Sequence, residues 1–66
     1  MKNTIHVERA IKRITQADLA AAVGVSRQTI NAIEANKYVP SAVLAFKIAR
    51  YFAKPVEAIF ELGEDD

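Results

Sequence analysis

The sequence predicts an all-α fold, a compact bundle of five short helices. Three observations lead there. Apolar residues recur at helical spacing (Leu19, Ala20 and Val23; Leu44, Ile48 and Phe52), and no segment shows a strand pattern. Residues that start or stop helices divide the 66-residue chain at short intervals. The composition, 52% hydrophobic and 26% charged, is too apolar for disorder. A chain of this length makes one domain and buries only about 60% of its unfolded surface, so stability rests on good packing or on a partner.

The first helix is expected over about Asn3 to Arg13. Val7, Ile11 and Ile14 share one face of it at i, i+4 and i+7, and Lys12 lies one turn from Glu8, placed to pair with it. Two short helices joined by a tight turn then occupy Gln16 to Ala35. Thr15 caps the first of them, with Asp18 completing a Thr-x-x-Asp box. Gly24 falls where that helix must stop, a position needing positive φ, and Ser26 caps the next helix. Leu19, Ala20, Val23, Ile30 and Ile33 are its apolar anchors, and Ala20 is small enough for the two axes to approach closely. A loop through Asn36 and Pro40 follows, with Asn36 suited to a left-handed conformation. Ser41 caps the fourth helix. Pro55 opens a short fifth, in which Val56, Ile59 and Phe60 share the core face and Ala58 and Leu62 are left outside.

Net charge is only +1, but its distribution is uneven. Residues 1–54 carry nine basic against three acidic side chains, a net of +6; residues 55–66 carry five acidic and no basic ones. A basic body with an acidic end suits a nucleic-acid face on one side of the molecule. Without cysteine there is no disulfide or thiolate chemistry. The N-terminal residues have no apolar run of signal-peptide length and nothing approaches a membrane span, so a cytoplasmic protein with no membrane association is expected. His6 is the sole histidine and sits between Ile5 and Val7. No cluster has metal-ligand spacing and no glycine-rich loop could cradle a phosphate. No catalytic residue, metal, cofactor or small-molecule ligand is expected, and the chain is not read as an enzyme.

Between the apolar positions of the helix that Ser26 caps sit Arg27, Gln28, Thr29 and Asn31, all able to hydrogen-bond. Anchors on one face and base-edge chemistry on the other give the layout of a DNA-reading helix-turn-helix. The chain resembles the minimal Cro- and phage-repressor-like (XRE) regulators over about residues 3 to 62. The resemblance is carried by Gln16, Leu19, Ala20, Gly24, Val25, Ser26, Ile30, Ile33, Glu34, Pro40, Ser41 and the run LAFKIARYF. It implies a lambda-repressor-like DNA-binding domain over residues 1–62, followed by an acidic tail at 63–66. It also implies a homodimer on double-stranded DNA with a near-palindromic operator.

By the same resemblance, Arg27, Gln28, Asn31 and Ala32 face bases. Arg27 would grip guanine O6 and N7, Gln28 and Asn31 would read adenine, and the Ala32 methyl would touch thymine. Gln16, Ser26, Thr29, Lys37, Tyr38 and Ser41 would hold phosphates, Gln16 also bracing the reading helix. For Tyr38, packing on the fourth helix is equally open. Arg9 and Glu34 match a structural ion pair of the family. Three departures stand out: Arg13, Asn36 and Ala53 occupy positions where glycine is common, at about 1 kcal/mol each if positive φ is kept. Glu8 stands where leucine is usual. The family pose puts Ile5 and Ile14 inside and leaves Val7 and Ile11 partly exposed. The expected function is a sequence-specific transcriptional regulator, most simply a repressor, with a homodimer surface at Ala58 and Leu62 on the fifth helix and the end of the fourth. The alternative is an antitoxin-like or bridging module that binds another protein.

Overall fold

Helices of eight to ten residues are too short to persist alone in water, so their ends and their buried faces must hold them. The computed structural model describes residues 1–66. In order they form β1 (Lys2–Asn3), α1 (Ile5–Lys12), α2 (Gln16–Val23), α3 (Arg27–Glu34), α4 (Ala42–Tyr51), α5 (Val56–Ile59) and β2 (Phe60–Glu61).

The starts are capped as the sequence indicates. Thr15 Oγ1 accepts the Asp18 N–H at 3.0 Å while the Asp18 carboxylate accepts the Thr15 N–H at 2.9 Å, a complete capping box. These bonds, the backbone one foremost, hold the Asp18 carboxyl below its ordinary value. The cap is therefore fully present above the ordinary carboxylate range and is lost as pH falls through the lowered value. Ser26 and Ser41 cap α3 and α4 through the Thr29 and Leu44 N–H groups.

The first four helices all end on a left-handed residue: Arg13 (φ 57°), Gly24 (φ 77°), Asn36 (φ 61°) and Ala53 (φ 55°). After α1, α3 and α4 the two N–H groups that follow turn back to the last open carbonyls. Examples are Asn36 N–H to Ile33 O at 3.0 Å and Lys37 N–H to Ala32 O at 2.9 Å. Only Gly24 takes this conformation without Cβ strain; the others are fixed by those paired bonds.

Ile5, Leu19, Ile30, Ile33, Ile48 and Ile59 are at most 2% exposed and form the centre of the core. Each contributes roughly 1.5–3 kcal/mol relative to an exposed side chain. Ala20, Val23, Leu44, Ala45, Ala49, Phe52 and Phe60 complete it, with Ile14, Val25 and Val56 among those packed at its margin. Helix α1 takes the expected pose, since Val7 and Ile11 stay 44% and 68% exposed.

Three expectations are corrected. The first helix begins at Ile5 rather than Asn3, because Lys2 and Asn3 pair antiparallel with Glu61 and Phe60. The chain thus has a short two-stranded ladder where no strand was expected, and Phe60 belongs to it rather than to the fifth helix. Glu8 pairs not with Lys12 but with Lys54, 46 residues on, at 2.7 Å. Lys12 instead stands 5.1 Å above the Tyr51 ring. The Glu8 side chain points toward the core and is only 9% exposed, so the partner has to come from the packed neighbour after α4. At the other end Asp66 turns back, accepting the Gly63 N–H at 2.6 Å and lying 3.2 Å from the Met1 amine.

Lys54→Met strands the Glu8 carboxylate in its apolar surroundings and should cost about 1–2 kcal/mol in urea unfolding. This is less than for a fully buried pair, because Lys54 is 44% exposed. The double variant Glu8→Leu/Lys54→Met should recover at least wild-type stability. A single variant as stable as wild type would show that water already solvates Glu8.

Candidate nucleic-acid interface

Because Ile30 and Ile33 are fully buried and lie three residues apart, the opposite face of α3 is fixed outward. Arg27, Gln28 and Asn31 are exposed there and alone line a shallow polar concavity. Ala32 is half-buried beside them.

Two further concavities flank this face. On one side Thr15, Gln16 and Ala17 at the start of α2 share a hollow with Arg9, Ile14 and Arg27. On the other, Thr29, Tyr38, Ser41 and Lys47 meet around Gly24, Val25 and Leu44. The hydroxyls, the lysine and the two helix starts give each flank hydrogen-bond donors suited to an anion. Tyr38 is 52% exposed and shares this hollow with Ser41, Val43, Leu44 and Lys47. Ser26 is engaged in its cap, its Oγ 2.9 Å from Thr29 Oγ1. Lys37 is exposed just past the end of α3. Lys47 was not legible as part of this set, since one exposed lysine on a helix looks like any solvated lysine. Ala58 is exposed on α5, whereas Leu62, expected on the same helix, is exposed beyond β2, because the helix ends at Ile59 and Phe60–Glu61 pair with the N-terminal strand.

A polar scaffold ties α3 down. The Arg9 guanidinium grips Glu34 with two donors, Nε to Oε2 at 2.7 Å and Nη2 to Oε1 at 3.0 Å, and Nη1 reaches the Ile14 carbonyl at 3.2 Å. Their side chains are 19% and 10% exposed, so the pair is substantially shielded. Hydrogen bonding to Glu34 raises the guanidinium above its ordinary value, against the opposing effect of burial, so it stays charged. Glu34 Oε1 also accepts from Gln16 Nε2 at 3.3 Å, and Gln16 Oε1 accepts from Asn31 Nδ2 at 3.4 Å. Asn3, which the sequence did not single out, donates from Nδ2 to the Ile33 carbonyl at 2.8 Å and caps the far end of α3.

A helix-turn-helix family model matches residues 7–59, most of the chain. The chain belongs to the Cro- and phage-repressor-like (XRE) helix-turn-helix family. It is 56% identical over 66 residues to an uncharacterized HTH-type transcriptional regulator of Methanocaldococcus jannaschii, covering 100% of this chain and 98% of that one. A second uncharacterized HTH-type regulator, YgzD of Bacillus subtilis, is 44% identical with both chains fully covered. A third, from Archaeoglobus fulgidus, is 46% identical over 100% of this chain and 93% of its own. No helix of this family member is long and apolar enough to cross a membrane.

Glu34→Ala removes the carboxylate that Arg9, Gln16 and the end of α3 share. Stability should fall by about 2 kcal/mol, roughly 10 °C in Tm, with binding to duplex DNA weakened in parallel. An unchanged Tm would mark Arg9 and Glu34 as an ordinary surface pair.

Proposed function

We propose that this chain is a sequence-specific DNA-binding transcriptional regulator, most simply a repressor, acting as a homodimer on a near-palindromic operator. The supporting observation is the exposed triad Arg27, Gln28 and Asn31 on a helix tied to its scaffold and flanked on both sides by hollows lined with hydrogen-bond donors suited to phosphates. In this reading α3 lies in the major groove. Arg27 reads guanine, Gln28 and Asn31 read adenine, and Ala32 meets a thymine methyl. Gln16, Ser26, Thr29, Lys37, Tyr38 and Ser41 fix the register on the phosphates, with Lys47 added to them. Residues 1–62 form the binding domain and 63–66 the acidic tail.

Size supports the dimer. One copy measures 30 × 22 × 20 Å and carries one such helix, whereas successive major grooves on one face of DNA lie about 34 Å apart. Surplus apolar surface supports it too: Val39, Val43 and Phe46 are 57%, 64% and 65% exposed, and Leu62 74%. Phe46 lies on the outer face of α4 and adds to this surplus, whereas Val39 belongs to the loop before α4 and Val43 lines the hollow that also holds Tyr38, Ser41 and Lys47. A protein-bridging role finds its own support in Val7 and Ile11 of α1; pull-down with α1 substituted to Val7→Lys/Ile11→Lys would separate it from DNA binding.

Selection of bound sequences from random duplex DNA tests the reading. Arg27→Ala should lose about 1–3 kcal/mol on the selected site and relax preference at one base pair. Lys37→Ala should weaken every sequence alike and lower the salt slope by about one. An unchanged consensus in Arg27→Ala would remove it from base reading. In sedimentation equilibrium the wild type should be dimeric at micromolar concentration and Leu62→Glu monomeric with its helical spectrum intact. A monomer that stays monomeric on operator DNA would contradict the homodimer.

A further inference from the structure

The turn that follows α3 is held from the other end of the chain. Asn3 lies in β1, paired with Phe60 of β2, and the next N–H, that of Thr4, reaches the Ile59 carbonyl at 2.9 Å. The Asn3 side chain is bonded at both ends. Its Oδ1 accepts the Ile5 N–H at 3.2 Å and its Nδ2 donates to the Ile33 carbonyl at 2.8 Å, each in a partly buried setting. One partner is a backbone donor and the other a backbone acceptor, so the amide has a single orientation. The same Ile33 carbonyl takes the Asn36 N–H at 3.0 Å, and the Ala32 carbonyl takes the Lys37 N–H at 2.9 Å. Asn36 stands among these bonds at φ 61°, a conformation that an L-residue keeps only where its surroundings over-determine it. The segment from Lys37 to Val39 therefore runs between two fixed ends. One is the turn under Asn3; the other is Pro40 and the Ser41 cap of α4.

We infer that Asn3 is a positioning residue for the phosphate grip: through the Ile33 carbonyl it holds the turn that aims Lys37 at the DNA backbone. The inference rests on α3 lying in the major groove with Lys37 at a phosphate, and it gives the N-terminal strand a share in affinity. Lys37 is exposed and takes part in none of the chain's ion pairs, so only the backbone beneath it decides where its ammonium reaches. Without the Asn3 donor the Ile33 carbonyl keeps one bond, and the left-handed Asn36 loses the contact that opposes its relaxation. A phosphate contact counts alike on every sequence. Asn3 therefore governs affinity and its salt dependence, and leaves base preference to Arg27, Gln28 and Asn31. A residue that only stabilised the fold would act the same whether or not Lys37 were present; a positioning residue loses its effect on binding once Lys37 is gone.

The test measures binding of the full chain to the selected duplex by fluorescence anisotropy across a range of salt, at a temperature where circular dichroism shows each variant folded. Asn3→Ser keeps an acceptor for the Ile5 N–H and is too short to reach the Ile33 carbonyl. If the serine variant is not folded under these conditions, Asn3→Asp serves, since it keeps the acceptor, lacks the donor, and its added charge acts alike with or without Lys37. Asn3→Ser should weaken binding to every duplex severalfold, keep the selected consensus, and lower the salt slope by up to about one, in the direction of Lys37→Ala. In the Lys37→Ala background the same substitution should change affinity by less than about twofold. An Asn3 variant that weakens binding by one factor in both backgrounds and keeps the wild-type salt slope overturns the inference, as does one that binds like wild type; both leave α3 as the reading helix. A Lys37→Ala protein with wild-type affinity and slope overturns the phosphate reading beneath it.

Discussion

Glu34 lies in the last turn of α3, with its carboxylate forked by Arg9 from α1 and touched by Gln16 from the start of α2. Three elements distant in sequence thus meet on one acidic group that is only 10% exposed. A carboxylate so placed is costly unless it is paired, and pairing it fixes where α3 ends relative to its neighbours. Asn3 adds a second tether at the Ile33 carbonyl, and the left-handed Asn36 closes the remaining bonds. An eight-residue helix with two buried isoleucines would otherwise have rotational freedom about its apolar contacts. The polar anchors remove it, and the outward face of α3 becomes a fixed set of donors and acceptors.

Short elements place a heavy share of stability on their ends. Capping of α2, α3 and α4 by Thr15, Ser26 and Ser41 accounts for one end of each. At the other end Arg13, Asn36 and Ala53 take positive φ without being glycine, each at about 1 kcal/mol of backbone strain. The chain tolerates this because residues such as Ile14 and Lys54, one step beyond, are useful where the turn puts them. Ile14 packs at the core margin and its carbonyl receives Arg9; Lys54 reaches Glu8. The strained turns therefore aim the side chains that follow them.

Most of this was legible in the sequence where the cause is local. The caps, the Gly24 stop and the buried Leu44, Ile48 and Phe52 follow from residue type and spacing; the inward Ile5 followed only from the family resemblance, since spacing alone groups Val7, Ile11 and Ile14. The partner of Glu8 did not, since Lys12 at i+4 satisfies the local rule and only tertiary packing brings Lys54 within 2.7 Å. The pairing of Lys2 and Asn3 with Glu61 and Phe60 has no alternating pattern to announce it, being two residues long on each side. Phe46 carried a readable signal: two positions from both Leu44 and Ile48, it must point away from the core, and it is 65% exposed. At the interface, Arg27, Gln28 and Asn31 come together on one face as their spacing implies. The link from Asn31 through Gln16 to Glu34 depends on the angle between helices and has no sequence signature.

The central claim is that the Arg9–Glu34 pair, rather than apolar packing alone, fixes α3 on its scaffold. A double-mutant cycle with Arg9→Met and Glu34→Leu, followed by urea unfolding, measures the coupling directly. The account predicts that each single variant loses about 2 kcal/mol or more and that the double variant recovers much of that loss, a coupling of at least about 1.5 kcal/mol. Single losses that simply add, with coupling near zero, would contradict it.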